Sequence, residues 1–302
     1  MDKLITVLTA TYNRANLLPD LYASLCRQSN QNFDWVIIDD GSSDGTQSIV
    51  KKWLAEEHTF TISYHYIPNG GKNRAINYGV KLVQTPFTMI VDSDDYLTND
   101  AISFYKQNLL KIIDKNYIAG IAGLRGTDIN APLNKVTYPI NTFILVNNLE
   151  RSKYNLQKDA CEVYRTSILQ DHPFVVWENE KFSPEEIVWN QLALEGYSLR
   201  WYHKVTCIVR YQENGLTKDS FNLIKKNPMG YAMMYKHRIA LSKNLKDKFF
   251  NACQMIAYCI LGKQFCYIFE NYTNIFVILL AIPIGGILAI RRKIQFNNII
   301  QE

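Results

Sequence analysis

Three carboxylates directly follow a short apolar run. Residues 87–91 come after a proline and are apolar, which predicts a buried strand. Asp92, Asp94 and Asp95 come next. Carboxylates this close repel one another unless a cation lies among them, and Mg²⁺ and Mn²⁺ prefer carboxylate oxygens and share them with phosphates. The spacing predicts a metal site for a phosphorylated ligand; capping of a helix that starts near residue 99 is the structural alternative.

Other polar loops carry complementary chemistry. Residues 9–14 and 39–46 are polar, and Asp40 can accept a hydrogen bond from a base or a ribose hydroxyl. Residues 69–73 contain two glycines and open a helix, where the backbone can approach an anion closely, and Lys72 adds positive charge. Together with the carboxylates, these loops suit a nucleoside diphosphate. A plain turn is the alternative for residues 39–46.

Alternating strands and helices would bring these loops together. The predicted strands cover residues 4–9, 33–38, 59–67 and 87–91. Two predicted helices cover 17–29 and 47–57, and a third opens at the glycine loop 69–73 and runs through residue 83. This alternation indicates βαβ units and therefore an α/β fold with a mostly parallel sheet. Right-handed crossovers place the loops at one sheet edge, where open α/β sheets bind ligands.

Composition and missing motifs exclude other classes. The chain has 302 residues, 47% of them hydrophobic, and a net charge of +5. Its 6 cysteines show no zinc-type spacing, and we expect reduced thiols in the cytosol, no signal peptide and no nucleic-acid partner. No GxGxxG follows the first strand and no P-loop motif is present. A calcium loop starting at Asp40 fails because its last ligand position falls on Lys51.

Four motifs occur in order within about residues 3–100. They are Thr-Ala-Thr-Tyr-Asn-Arg, Val-Ile-Ile-Asp-Asp-Gly-Ser-Ser-Asp-Gly-Thr, Asn-Gly-Gly-Lys-Asn-Arg-Ala-Ile-Asn and Val-Asp-Ser-Asp-Asp. The series resembles the successive motifs of family 2 glycosyltransferases with the GT-A fold. The resemblance implies an inverting transferase of the bacterial surface-polysaccharide type. It also implies a nucleotide-diphospho-sugar donor, most often a UDP-sugar, and Mn²⁺ or Mg²⁺ as cofactor.

The resemblance also implies which residues bind the donor. By motif position they are Thr9, Tyr12, Arg14, Asp40, Lys72, Asn73, Asp92 and Ser93. Residues 9–14 would border the base, and Asp40 would read the uracil. Asp92 and Asp94 would form the DxD-type pair. Either Asp94 or Asp95 would be the direct metal ligand.

An acidic pair, Glu185 and Glu186, lies at a predicted helix start. An inverting transfer needs a general base to take the proton of the acceptor hydroxyl. In the resembled family the base belongs to an acidic pair, usually Glu-Asp, in this position. The pair here is Glu-Glu, which favours Glu186 by position and keeps Glu185 as the alternative. A capping box formed by Ser183 and Glu186, with Pro184 in the first turn, is the structural alternative.

The C-terminal part changes character. Residues 271–290 carry no charge and would reach about 30 Å as a helix, which is enough to cross a bilayer core. A proline and two glycines within them would kink such a helix. Cations flank both sides, at Lys236, Arg238, Lys243, Lys246 and Lys248 and at Arg291, Arg292 and Lys293. The positive-inside rule favours an in-plane or re-entrant segment on the cytoplasmic face of the plasma membrane, with a buried helical pair as the alternative.

These features predict a GT-A catalytic domain at residues 1–220, with the donor half at 1–100 and the acceptor half at 101–220. A helical, membrane-associating appendage would follow at 221–302. We expect transfer of a sugar from a UDP-sugar to a hydroxyl of a lipid-linked or oligosaccharide acceptor in surface-polysaccharide synthesis. A non-catalytic nucleotide-sugar-binding protein on the same fold is the second hypothesis.

Overall fold

The computed structural model describes residues 3–210, 220–270 and 275–298. Within these residues, the chain forms two compact units. The first comprises residues 3–173 and 188–210 and contains the sheet. The second comprises residues 174–187 and 220–298 and is mainly helical. Segment 174–187, predicted as part of the catalytic domain, therefore packs with the C-terminal helices.

The first unit is built on a mixed sheet. Its strands are β1 (Ile5–Thr11), β2 (Asp34–Asp39), β3 (Thr61–Tyr66), β4 (Phe87–Ile90), β5 (Tyr96–Leu97), β6 (Ile118–Asp128), β7 (Ala131–Pro132), β8 (Phe143–Val146), β9 (Ala160–Arg165) and β10 (Ser198–Ile208). Their order is β3-β2-β1-β4-β9-β6-β10-β5, with β7 beside β6 and β8 beside β10. The first four are parallel, β9 is antiparallel to both β4 and β6, and β6 therefore runs in the same direction as β4.

Helices cover the sheet and connect its strands. They are α1 (Leu18–Cys26), α2 (Thr46–Leu54), α3 (Lys72–Leu82), α4 (Ala101–Leu109), α5 (Thr166–Asp171) and α6 (Glu186–Leu194), the last of which crosses the boundary between the units. The predicted βαβ alternation is confirmed for β1 to β4 and α1 to α3. Strands β1 and β2 are buried almost throughout, which is typical of parallel strands covered on both faces.

Two local features concern the last strand of the sheet and the helix after β4. Strand β10 is a single long strand, and most of its residues are buried between neighbouring strands. The carboxylates after β4 do not cap a helix: α4 begins at Ala101, its N-cap residue is Asp100, and β5 lies between. The capping alternative for Asp92, Asp94 and Asp95 is therefore wrong.

The second unit contains a helical pair and its supports. Its helices are α7 (Ser220–Lys226), α8 (Pro228–Leu241), α9 (Leu245–Leu261) and α10 (Ile275–Asn298). Helix α9 packs on both α8 and α10, and their shared core includes Met255, Ile256 and Ile278. Helix α10 continues through Pro283. Residues 271–274 of the predicted apolar segment lie outside the described residues.

Candidate functional site

The loops that carry the candidate donor-binding residues lie at one edge of the sheet. Strands β1 and β2 end level with each other, because Thr11 pairs with Asp39. Strand β4 is parallel to β1 on its other side, where Leu8 pairs with Ile90. The carboxyl ends of parallel strands share an edge. The structure therefore brings together the loops after β1, β2 and β4, as predicted.

Asp40 holds the glycine loop that precedes α3. Its buried carboxylate accepts hydrogen bonds from the backbone N–H groups of Gly70 (2.7 Å) and Gly71 (2.8 Å) and from Nδ2 of Asn69 (3.0 Å). Gly41 has φ +80°, and a Cβ there would lie 2.8 Å from the backbone nitrogen of Asn69, so this turn requires glycine. Both oxygens of Asp40 thus position the loop. Its contact with a uracil stays a prediction.

The loops after β1 and β2 are tied to each other. The Oγ of Ser42 accepts a hydrogen bond from the backbone N–H of Asn13 at 2.8 Å, and Oδ1 of Asn13 accepts one from Ser43 at 2.8 Å. Tyr12 and Arg14 flank Asn13; Tyr12 is 48% exposed and Arg14 is partly buried. The hydrogen bonds hold the backbone that carries these two residues at the sheet edge. Their contacts with a base stay predictions.

Asp92 is neutralised by two cations. Nζ of Lys72 lies 2.7 Å from its Oδ1, and Nη1 of Arg125 lies 3.0 Å from its Oδ2. Burial by itself would raise the pKa of Asp92, but the charges of Lys72 and Arg125 outweigh it and hold the pKa well below its ordinary value. Asp92 therefore carries a negative charge at neutral pH, compensated within the fold.

Asp95 is buried and only partly compensated. Its Oδ2 lies 2.9 Å from the same Nη1 of Arg125. Burial raises the pKa of Asp95 to about 7; Arg125 opposes the shift, and the charges of Asp92 and Asp94 add to it. One guanidinium nitrogen thus serves two carboxylates, which leaves Asp95 near the midpoint of its titration at neutral pH.

Asp94 is the open member of the acidic group. It is partly exposed and makes no ion pair or hydrogen bond to any residue within 3–210, 220–270 or 275–298. Those residues also contain no group of three His, Cys, Asp or Glu side chains arranged for a metal. A divalent cation that shares its coordination with a diphosphate needs only one or two carboxylates. Asp94 fits that requirement, and Asp95 is held by Arg125 instead.

Arg125 is the site residue that the sequence patterns did not single out. It lies on β6, near the carboxyl end of the strand, and that end shares the sheet edge with the end of β4. Its Nε donates a hydrogen bond to the carbonyl of Ala160 at 3.0 Å, and its Nη1 contacts Asp92 and Asp95. The available signal was a cation directly after the apolar run 118–124.

The remaining predicted donor residues are buried. Thr9 is fully buried, and its Oγ1 accepts a hydrogen bond from the indole N–H of Trp35 at 3.1 Å, so its side chain lies in the core. Asn73 is buried in the first turn of α3, and Ser93 is buried between the carboxylates. Their contacts with a nucleotide-sugar stay predictions.

The acidic pair belongs to the second unit. Helix α6 begins at Glu186, and Glu185 precedes it. Arg238 of α8 donates from Nε to Oε1 of Glu186 and from Nη2 to Oε2, both at 2.6 Å. The side chain of Glu186 is 30% exposed. These contacts do not distinguish Glu185 from Glu186 as the base, and the role of the pair stays a prediction.

The sequence matches a known family. The sequence model described as Glycosyl transferase family 2 matches residues 6–172, more than half of the chain. The chain belongs to glycosyl transferase family 2. The resemblance inferred from the four motifs is therefore confirmed, and the matched region contains every predicted donor and metal residue.

Curated relatives include bacterial cell-wall proteins. The chain is 28% identical over 188 residues to the poly(ribitol-phosphate) beta-N-acetylglucosaminyltransferase TarS of Staphylococcus aureus strain Mu50, covering 60% of this chain and 30% of that protein. It is 23% identical over 261 residues to the poly-beta-1,6-N-acetyl-D-glucosamine synthase of S. aureus strain MSSA476, covering 78% of this chain and 61% of that one. The chain thus spans less than a third of the length of TarS.

Solved structures share the fold. The crystal structure of residues 1–349 of S. aureus TarS in complex with UDP-GlcNAc superposes with a TM-score of 0.57 at 18% identity, covering 87% of this chain and 73% of that one. The mannosyltransferase PcManGT from Pyrobaculum calidifontis, in complex with GDP-Man and Mn²⁺, gives 0.54 at 16% identity, covering 95% and 74%. The predicted GT-A fold, with a C-terminal helical part, is confirmed.

Proposed function

We propose that this family 2 protein is an inverting glycosyltransferase that moves a sugar from a UDP-sugar to a hydroxyl of a glycan acceptor. The observation that carries the proposal is the acidic group after β4. There, Lys72 and Arg125 compensate Asp92 and Asp95 and leave Asp94 open to a ligand. A site with fixed cations and one free carboxylate suits a diphosphate bound together with a divalent cation.

The residues around the group would bind the diphosphate. Lys72 and Arg125 supply positive charge, and the first turn of α3 supplies backbone N–H groups at the positive end of the helix dipole. Asp94 would hold Mn²⁺ or Mg²⁺, with Asp95 as the alternative ligand. When bound, such a cation would neutralise negative charge that develops on the leaving diphosphate.

Transfer would be a single displacement. The acceptor oxygen forms a bond to the anomeric carbon while the bond from that carbon to the diphosphate oxygen breaks. The electron pair of the broken bond stays on the nucleoside diphosphate, and the acceptor proton passes to a carboxylate of the acidic pair. Glu186 is the favoured base and Glu185 the alternative.

The acceptor class is inferred from the relatives. TarS is named as a poly(ribitol-phosphate) N-acetylglucosaminyltransferase, and a second relative is named as a synthase of poly-beta-1,6-N-acetyl-D-glucosamine. A further relative is named as a teichoic acid poly(glycerol phosphate) polymerase. These names support a bacterial cell-surface polymer or its precursor as the acceptor. A lipid-linked acceptor would agree with an apolar C-terminal helix.

Nucleotide calorimetry tests the donor site. UDP, GDP and CDP are titrated with and without Mn²⁺ into wild type and Asp94→Asn. We expect UDP binding that is strengthened by the metal and loses this dependence in the variant. Release of UDP from UDP-sugars in the presence of acceptor glycans then tests the transfer. Metal-independent binding would contradict the proposed role of Asp94, and binding without turnover would favour a non-catalytic nucleotide-sugar-binding protein.

Helix α10 supports attachment to the cytoplasmic face of the plasma membrane, peripheral or monotopic. Among the described residues it is the one helix long and apolar enough to cross a bilayer, with a mean hydropathy of 2.1 over an 18-residue window within Ile275–Asn297. One of its faces packs on α9, where Ile278 and Ala281 are buried. The opposite face is an exposed apolar stripe formed by Phe276, Leu279, Leu280, Ile284, Ile287, Ile290 and Ile294. A helix with one face packed and the other apolar suits an in-plane position.

Vesicle flotation tests this attachment. The double variant Leu280→Glu/Ile287→Glu should stay with the soluble fraction, while wild type should float with vesicles that contain anionic lipids. Leu54→Glu is the matched control, because Leu54 is also an exposed apolar helix residue but lies on α2. Equal flotation of wild type and the double variant would contradict the proposal.

A further inference from the structure

The segment that carries the acidic pair is fastened to the start of α8. The buried carboxylate of Glu180 accepts hydrogen bonds from the backbone N–H groups of Met229 and Gly230, both at 2.7 Å. Oδ1 of Asn227 accepts hydrogen bonds from the backbone N–H groups of Lys181 (2.8 Å) and Phe182 (3.0 Å). The bonds to Glu180 cap the first turn of α8, whose N–H groups have no partner within the helix, and the bonds to Asn227 fix residues 181–182 against it.

Close backbone contact completes the attachment. A Cβ added to Gly230 would collide with the carbonyl oxygen of Phe182 and would lie 3.0 Å from the Cα of Ser183. Glycine therefore allows the segment to lie directly against α8. Three residues further along, Glu186 forms the two-pronged ion pair with Arg238. Helix α8 thus holds the segment at its first turn and again at Arg238, more than two helical turns later.

The pair between Glu186 and Arg238 is suited to fixing an orientation. Two parallel N–H···O bonds to both carboxylate oxygens leave the group no freedom to rotate. Each oxygen keeps a second lone pair, which can still accept a proton. Hydrogen bonding to Glu186 raises the pKa of Arg238 above its ordinary value; burial opposes the shift and the charge of Glu186 adds to it, so the guanidinium remains a cation.

We infer that Arg238 is a positioning residue for the transfer reaction, which holds the carboxylate of Glu186 in the orientation required of the base. The inference rests on the proposed function. It gives one residue of α8, Arg238, a part in the reaction, although the sequence pattern placed this helix in a membrane-associating appendage. The helical unit then has two separate tasks, with α8 serving the acidic pair and α10 presenting the apolar stripe.

The experiment measures kcat and donor KM for Arg238→Met and Lys236→Met. Lys236 is the matched control: it lies on the same helix, pairs with Glu270 at 3.8 Å and covers the ring of Tyr267 at 3.9 Å. Arg238→Met should lower kcat roughly 10- to 100-fold with an unchanged donor KM, because small misplacement of a reacting group is expensive. Lys236→Met should keep the wild-type kcat. Thermal unfolding of both variants checks that they fold.

Two further comparisons test whether Arg238 acts through Glu186. On a Glu186→Gln background, adding Arg238→Met should lower kcat no further, since Arg238 acts through Glu186. Arg238→Lys should lose less kcat than Arg238→Met, because lysine keeps the positive charge but cannot form the two parallel hydrogen bonds to Glu186. If Arg238→Met does not fold, Arg238→Lys carries the test, with an expected kcat between those of wild type and Glu186→Gln.

The outcomes separate the inference from the proposed function. Wild type that releases no UDP from any UDP-sugar with any acceptor overturns the proposed function and the inference with it. Wild type that turns over, with Arg238→Met equal to Lys236→Met, overturns the inference alone. Losses that add fully in the Glu186→Gln/Arg238→Met double variant also overturn it. A kcat loss specific to Arg238 that disappears on the Glu186→Gln background supports it.

Discussion

Two arginine–carboxylate clusters, one in each unit, use the guanidinium group differently. In the first unit, a single nitrogen of Arg125 contacts both Asp92 and Asp95. In the second unit, Arg238 gives two nitrogens to one carboxylate, that of Glu186. The first arrangement divides one cation between two acids. The second matches one cation to one acid.

The difference agrees with the roles proposed for the clusters. Burial raises the pKa of Asp95 to about 7, and the shared guanidinium of Arg125 opposes this only in part. Asp94 has no ion-pair or hydrogen-bond partner among the described residues, so the first cluster can still gain from an added cation. One-to-one compensation satisfies Glu186 and fixes its direction. A site that binds a cation must keep carboxylate charge that its own residues do not neutralise. A contact that only orients a carboxylate needs that charge to be fully paired.

The largest expected effect comes from removing the shared cation. Arg125→Met would leave Asp92 and Asp95 without their common partner, and the Arg125 and Asp95 side chains are only 13% and 6% exposed. We expect a loss of about 3 kcal/mol in the free energy of unfolding, measured by urea denaturation near pH 8. Arg210→Met is the control, because its ion pair with Asp20 is exposed and should be worth at most about 0.5 kcal/mol. Equal losses would mean that the first cluster is no more than a surface ion pair.

A smaller effect should follow pH at Asp95. Its pKa rises from 3.8 to about 7 on folding, so the folded protein keeps a proton that the unfolded chain releases. Stability from this group is complete below about pH 4 and is lost as pH rises through 7. The free energy of unfolding of Asp95→Asn, taken relative to wild type, should therefore rise by about 2 kcal/mol between pH 5 and pH 8. Both proteins are measured with a chelator present.

Asp92→Asn is the control for that measurement. The pKa of Asp92 lies well below this range, so its protonation state does not change there. The free energy of unfolding of Asp92→Asn should therefore differ from that of wild type by a constant amount between pH 5 and pH 8. A difference that grows with pH for Asp92→Asn, or shrinks for Asp95→Asn, would contradict the unequal division of charge around Arg125.

The smallest expected effect concerns the backbone that places Lys72 in the first cluster. Gly71 is the N-cap of α3 with φ +96°, a conformation that side chains rarely adopt. Gly71→Ala should lose about 1 kcal/mol of unfolding free energy and weaken UDP binding. Gly45→Ala is the control, because Gly45 caps α2 with φ −74° and an added Cβ would make only ordinary contact with Ala15. Similar stability losses in both variants would contradict a conformational requirement at Gly71.

Much of the donor half was predictable from local patterns. Apolar runs of strand length that alternate with helical spacing predicted β1 to β4 and α1 to α3 within a few residues. Parallel strands then place the loops after β1, β2 and β4 at one edge, whatever the details of packing. Strand β10 is harder to predict from local patterns, because a strand buried along most of its length lacks the alternation of apolar and polar residues that marks a half-buried strand.

The sequence by itself determined which residues meet at the sheet edge, because strand direction and motif position are local properties of the chain. Only the tertiary structure decided how their charges are shared. Arg125 and Asp92 are 33 residues apart, and Arg238 and Glu186 are 52 apart. The tertiary structure also separated Asp94 from Asp95, which are adjacent in sequence. Burial and ion pairing depend on which distant groups pack against a side chain, and no local spacing encodes that.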